Sequence, residues 1–271
     1  MNKLLKIVSA FLLMTTLVVA QKKEKEIKYE KIFYKDTKVE TADYTLIVSN
    51  AVSTDAETKF KIKVVNKTNS YLIYKPEESK FTINGKTIDV KEKQMLIDPF
   101  QSETKVINIK GEGYNRIKTY SFLAGGIYKI TPGAPIPAED FKLPPAKNEI
   151  AAGPFVIKQE KLSKETDKTI VKFNCLYTGD KMGLVAPQKA NMRMPDGKVY
   201  ATTKKEKPFI VAKGENDSFV LEWDRMQGGG KATDMQFADM MIMWNDMLNE
   251  ASLEKTNAET INLEFDDVKT K

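Results

Sequence analysis

The densest run of side chains able to do chemistry is "DMQFADMMIMWNDMLNEASL", Asp234 to Leu253, which crowds Met235, Met240, Met241, Met243 and Met247 together. Thioethers are soft ligands suited to copper(I). They are also adaptable packing groups that join aromatics at partner surfaces. At 100° per residue, Phe237, Met240, Met241, Trp244, Met247, Leu248 and Ala251 gather on one side, with Asp239, Asp246, Asn249 and Glu250 opposite. Thr233 and Gln236 have the spacing of a capping box. The pattern predicts an α-helix over about 234–253. Three uses of its apolar face compete. It packs on its own domain, or it binds a partner through Phe237, Met240, Met241, Trp244, Met247 and Leu248, or Met240, Met243 and Met247 form a copper(I) ridge, with Met192 and Met194 as a second thioether pair.

Other chemistries are excluded more firmly. The chain has no histidine, which removes the imidazole general base, the Ser-His-Asp and Cys-His arrangements and every imidazole zinc site. The single cysteine, Cys175, lies on an alternating strand pattern with no activating neighbour in sequence, as a small buried hydrophobe would. Paired carboxylates such as Asp266 with Asp267, or Glu103 with Glu112, fall near predicted strand ends, where surface charge is ordinary. "RMQGGGKATD", from Arg225, departs twice from a phosphate-binding loop, at Arg225 and at Ala232. No enzyme activity and no cofactor are expected.

The elements that must position these residues follow from an internal repeat. "YTLIVSNAV" from Tyr44 aligns with "FVIKQEKLS" from Phe155, and at the same spacing Phe60, Ile62 and Val64 fall on Val171, Phe173 and Cys175. Pro76 falls on Pro187, and Phe81 and Ile83 fall on Met192 and Met194, which favours packing over metal for those two methionines. With short insertions, "NGK" at Asn84 meets "DGK" at Asp196, and "ETKVINI" at Glu103 meets "DSFVLEW" at Asp217. Both copies alternate apolar and polar residues between turn signals, the pattern of short antiparallel strands with one solvated face. The predicted fold class is all-β: two tandem immunoglobulin-like antiparallel β-sandwiches, the second with an inserted Met-rich α-helix.

These strand and hairpin motifs resemble the telokin-like, immunoglobulin-type domains of exported bacterial proteins, over most of Tyr44 to Ile130 and Phe155 to Phe265. The resemblance implies non-catalytic adhesive, accessory or ligand-holding modules and carries over no functional residue. The Met-rich segment, absent from the first copy, departs from it.

The expected organisation is a signal peptide over 1–20, a first sandwich over 21–131, a Pro-rich linker over 132–153 and a second sandwich over 154–271. Lys3 and Lys6 precede an apolar run from Ile7 to Val19 that is too short to cross a bilayer, and cleavage is expected after Ala20. No transmembrane segment is expected after cleavage. Six prolines between Pro132 and Pro154 mark the linker, since proline cannot sit inside a paired sheet. Gly125-Gly126 predicts a bulge or a close backbone approach. One cysteine precludes an internal disulfide, which favours a bacterial periplasm or cell surface over an animal secretion. The net charge of +6 is spread among interleaved signs, so no nucleic-acid partner is expected. The functional expectation is an exported accessory or scaffold protein that contacts a protein of the cell envelope; a periplasmic copper(I) binder is the alternative.

Overall fold

The computed structural model describes residues 29–224 and 234–271. The expected signal segment 1–20 and the glycine-rich stretch 225–233 lie outside the described residues. Everything paired is antiparallel. Strands β3 (Tyr44–Ser53) and β4 (Glu57–Asn66) form the centre of a first sheet, flanked by β1 (Ile32–Phe33), β2 (Thr37–Glu40) and β9 (Ser102–Lys110). In β4 the alternation is complete: Thr58, Phe60, Ile62, Val64 and Asn66 point inward, and Lys59, Lys61 and Lys63 are exposed. Strands β14 (Phe155–Lys164) and β15 (Lys168–Tyr177) repeat this between β13 (Glu149–Ala152) and β20 (Asn216–Asp224).

Two four-stranded sheets cover these. One runs in the order β23 (Glu259–Glu264), β10 (Thr119–Ala124), β6 (Lys80–Ile83), β7 (Lys86–Asp89). The other runs β12 (Phe141–Leu143), β21 (Met240–Met243), β17 (Asn191–Arg193), β18 (Val199–Ala201). A six-stranded sheet joins the halves, in the order β19 (Phe209–Val211), β16 (Met182–Val185), β22 (Leu248–Lys255), β11 (Ile127–Pro135), β5 (Tyr71–Tyr74), β8 (Met95–Ile97). The fold is thus all-β and sandwich-like. Its only helical turns among the described residues are three 3-10 turns, Pro76–Glu78, Tyr114–Arg116 and Pro187–Lys189.

Apolar side chains collect in three clusters. One, built on Phe60, Phe81 and Phe122, lies within the first half, and one, built on Phe173, Trp223 and Trp244, lies within the second. The six-stranded sheet feeds both from one face, through Leu72 and Tyr74 on one side and Val185 and Leu248 on the other. Its opposite face carries the third cluster: Ile73, Ile130, Leu184, Ile210 and Ala251.

The predicted helix over 234–253 does not form. Met235 to Phe237 make a turn, β21 follows, Asn245 turns the chain at φ 41°, and β22 takes it into the six-stranded sheet. The error is one of parity. Met240, Ile242 and Trp244 are buried at period two, Met241 and Met243 take the outward face of β21, and Phe237, Asp239 and Asn245 are exposed in the segments flanking it. Phe237 sits there at 79% exposure, so an aromatic residue that suggests a core face belongs to the solvent face.

The segment expected as a linker is woven into sheets. Pro132 lies in β11 opposite Ala251, but β5 ends its pairing at Ile130, so β11 beyond that point has a strand on one side only and tolerates proline. Farther on, Phe141 and Leu143 pair with Ile242 and Met240, and Ile150 pairs with Ile157. The last strand also differs from expectation. Ile261 pairs with Phe122 and Leu263 with Tyr120, so β23 completes a sheet of the first half and enters its cluster. The close approach predicted at the glycine pair occurs: Gly126 has φ 74°, and a Cβ there would lie 2.3 Å from the Lys75 carbonyl oxygen.

Candidate functional site

The six-stranded sheet is the one element both halves share, and its outer face is where a site forms. Continuous apolar runs in β5 ("YLIY") and β16 ("MGLV") meet the requirement of a sheet buried on both faces. Ile73 and Ile130 are fully buried on that outer face, Leu184 and Ala251 nearly so. Tyr71, Leu96, Tyr128, Met182 and Leu253 pack around them, half-buried. The sheet curls so that its two terminal strands border one open cavity of about 800 Å3: Gln94 and Leu96 line it from the β8 end, Phe209 and Ile210 from the β19 end. We refer to it as the trough.

Its rim is charged. Lys207, just before β19, is paired with Glu103 at the start of β9, an ion pair between the halves. Burial lifts the Asp98 carboxyl above its usual range, with Lys207 opposing and Glu103 adding to the rise. Next to the trough and outside its lining, the Tyr128 hydroxyl donates to Glu78 at 2.7–2.8 Å, and Lys255 Nζ reaches Glu78 Oε2 at 2.7 Å. Lys75 and Lys255 place their ammonium groups 5.2 and 5.4 Å from the Tyr128 ring centre, within cation–π range. Burial and then the Glu78 hydrogen bond push the Tyr128 phenol above its usual pKa. Burial works against the Glu78 carboxylate, but hydrogen bonds from Lys255 and Tyr128 hold it below the usual carboxylate range. The network fixes a neutral phenol and a paired carboxylate, with no free general base between them.

Two strand edges meet the trough. Among the described residues β8 pairs only with β5, and β19 only with β16. Beside β8 the turn Asp98–Gln101 holds Phe100 at φ 57° with 65% of its surface exposed. At the turn after β19, Gly214 occupies the same left-handed region at φ 79° without a side chain to strain. An aromatic residue kept in that conformation and turned to solvent costs about 1–2 kcal/mol relative to glycine, and gives no core packing in return.

The residues singled out in the sequence are dispersed. Met240, Trp244, Met247 and Leu248 are 0–1% exposed and belong to the second cluster, Met241 is half-buried on the outward face of β21, and Phe237 is exposed in the turn before it. They therefore present no common surface, because the strand sends alternate residues to opposite faces. The copper ridge fails for the same reason: Met240 and Met243 sit on opposite faces of β21, and Met192 and Met194 are buried in the second cluster. Among the described residues no group of three or more carboxylates or thiols is placed to hold a metal ion. Cys175 is wholly buried, and burial, reinforced by Asp217, pushes its thiol up to about 12.

The trough residues themselves escaped the sequence reading. The signal present was the pair of unbroken apolar runs, which cannot alternate toward solvent.

No family model and no curated protein matches the chain. Among solved structures, AerE from Microcystis aeruginosa matches at 10% identity over 82% of this chain and 99% of its own, with a TM-score of 0.13, too low for a shared fold. No helix among the described residues is long and apolar enough to cross a membrane.

Proposed function

We propose that this is a non-catalytic, exported accessory or scaffold protein that works by protein contact in a bacterial envelope. It would be built as two tandem immunoglobulin-like sandwiches. The repeat reading is supported by the six-stranded sheet, whose order reads alike from both ends if β8, β5 and β11 correspond to β19, β16 and β22. Thr131 and Ser252 then correspond and also pair with each other, so an approximate two-fold axis passes between them. Ile73 and Leu184, Leu96 and Ile210, Ile130 and Ala251 become corresponding pairs on the outer face of the sheet, and Ile73, Leu96 and Ile210 of these line the trough. Export is supported by the pattern of residues 1–20 alone.

The observation that carries the reading is the trough: an apolar floor with a charged rim and two unpaired strand edges, made where the halves join, in a chain without histidine. Sites at such junctions bind, and nothing around this one is set up to transfer a proton or a group. Lysine cross-linking in the native cell, followed by mass spectrometry of the purified protein, tests it. A stoichiometric envelope protein joined to this chain is the expected result. A monomer with no cross-linked partner, or a chain retained in the cytoplasm, would overturn it.

A further inference from the structure

Resting on that contact reading, we infer that the trough takes an extended, lysine- or arginine-bearing segment of a partner protein, which adds as a strand to the edge of β8 or β19 over the apolar floor. Three observations point to a peptide and not to a compact ligand. The cavity lies between two strand edges that have no strand neighbour among the described residues, and unpaired backbone donors and acceptors are best answered by another backbone. Leu96, Met182 and Phe209, which line the cavity and are only half-buried, supply an apolar surface for alternate side chains of an added strand. The rim inverts the charge of the whole chain.

That inversion sets the sign of the occupant. The protein carries +6 overall, yet the trough is lined by five carboxylates and three lysines. Lys207 and Glu103 neutralise each other, which leaves Glu77, Glu92, Glu215 and Asp217 against Lys75 and Lys93. The corresponding Lys93 and Asp217 form no ion pair, so that side of the trough stays unbridged. An acidic segment would meet four carboxylates there. A basic segment with apolar residues on alternate positions answers both the rim and the floor.

The test uses the full-length protein and a fluorescent, end-capped eight-residue peptide of alternating lysine and valine. Controls are its glutamate–valine counterpart and two versions N-methylated on alternate residues, which remove the backbone donors of one edge or the other. Anisotropy gives affinity, and amide exchange reads residues 95–97 and 209–211. The lysine peptide should bind, protect one or both of these strands, and lose about tenfold or more in affinity in at least one N-methylated version. Glu92→Lys with Asp217→Lys, both at the accessible rim, should leave the fold intact and reverse the preference toward the glutamate peptide. Equal binding of all four peptides, binding without protection of either strand, or no binding would each overturn the inference. A photo-cross-linker at position 94 or 208, compared with one at position 237, separates the two levels. Partner capture from 237 alone sinks the trough and leaves the contact reading standing, and capture from none of the three sinks both.

Discussion

Replacing Leu263 by alanine should destabilise the first half of the molecule, although Leu263 lies eight residues from the C-terminus (271 − 263). Leu263 is wholly buried, pairs with Tyr120 and packs in the cluster around Phe122. Leucine-to-alanine changes in packed cores cost about 2–5 kcal/mol. The site is fixed on both sides, by Lys35 N–H to the Glu264 carbonyl at 2.8 Å and Phe265 N–H to the Lys118 carbonyl at 2.9 Å, so little collapse can offset the cavity. A loss of about 3 kcal/mol follows; with a urea dependence of roughly 2 kcal/mol per molar, the midpoint should fall by about 1.5 M. The protein supplies its own reference signals. Both tryptophans, Trp223 and Trp244, lie in the second cluster, whereas Tyr34, Tyr44, Tyr74, Tyr114 and Tyr120 lie in the first. Near-ultraviolet dichroism of the tyrosines should shift more than tryptophan fluorescence. Leu143→Ala, which disturbs β12 beside Met240, should do the reverse. If Leu263→Ala moves the tryptophan transition and spares the tyrosines, or costs less than about 0.5 kcal/mol, the placement of β23 in the first half is wrong.

Four further outcomes are expected. Phe100→Gly should stabilise the protein by about 0.5–1 kcal/mol in thermal or urea unfolding, since the left-handed penalty removed slightly exceeds the entropy that glycine adds. Cys175 should resist a thiol reagent at pH 8 in the native state and react fully in denaturant. Its folded pKa is raised from 9.0 to about 12, so the stability it supplies is complete below pH 9 and is lost as pH rises toward 12, which alkaline unfolding of a Cys175→Ala variant would check by its smaller pH slope. The triple change Met240→Leu, Met243→Leu, Met247→Leu should cost less than about 1.5 kcal/mol per site in urea unfolding, because volume is nearly conserved. Phe237→Ser should leave the free energy of urea unfolding within about 0.5 kcal/mol of the parent, as an exposed turn residue would.

The strands were legible because their alternation is strict: Phe60, Ile62 and Val64, and Val171, Phe173 and Cys175, all face inward as the pattern requires. The Met-rich segment was misread because methionine and tryptophan fit helix and strand alike. There the choice rested on which parity was inside, and a local pattern cannot supply that when both parities carry apolar residues. The exchange of closing strands was legible and went unread. "AEDFKL" at 138–143 and "AETINL" at 258–263 are similar sequences at corresponding places, and they become β12 and β23. What no local pattern encodes is which half each closes, because that depends on the long-range pairing of β11 with β22. The trough was hidden for the same reason. Ile73 and Ile210 are 137 positions apart in number only (210 − 73), and only the curl of the shared sheet brings them to one cavity.

The near-coincidence of Thr131 and Ser252 on one axis has a consequence for direction. A cleft lying on a true two-fold axis, as between identical subunits, presents itself identically to a chain and to the same chain reversed, so both orientations bind equally and direction is not read. Within a single polypeptide the two sides are free to differ, and here they do: Gln94 faces Pro208, Tyr128 stands where the other side has Asn249, and Phe100 where it has Gly214. Each difference gives the cleft a polarity, a beginning and an end along which a guest can be read in one sense only.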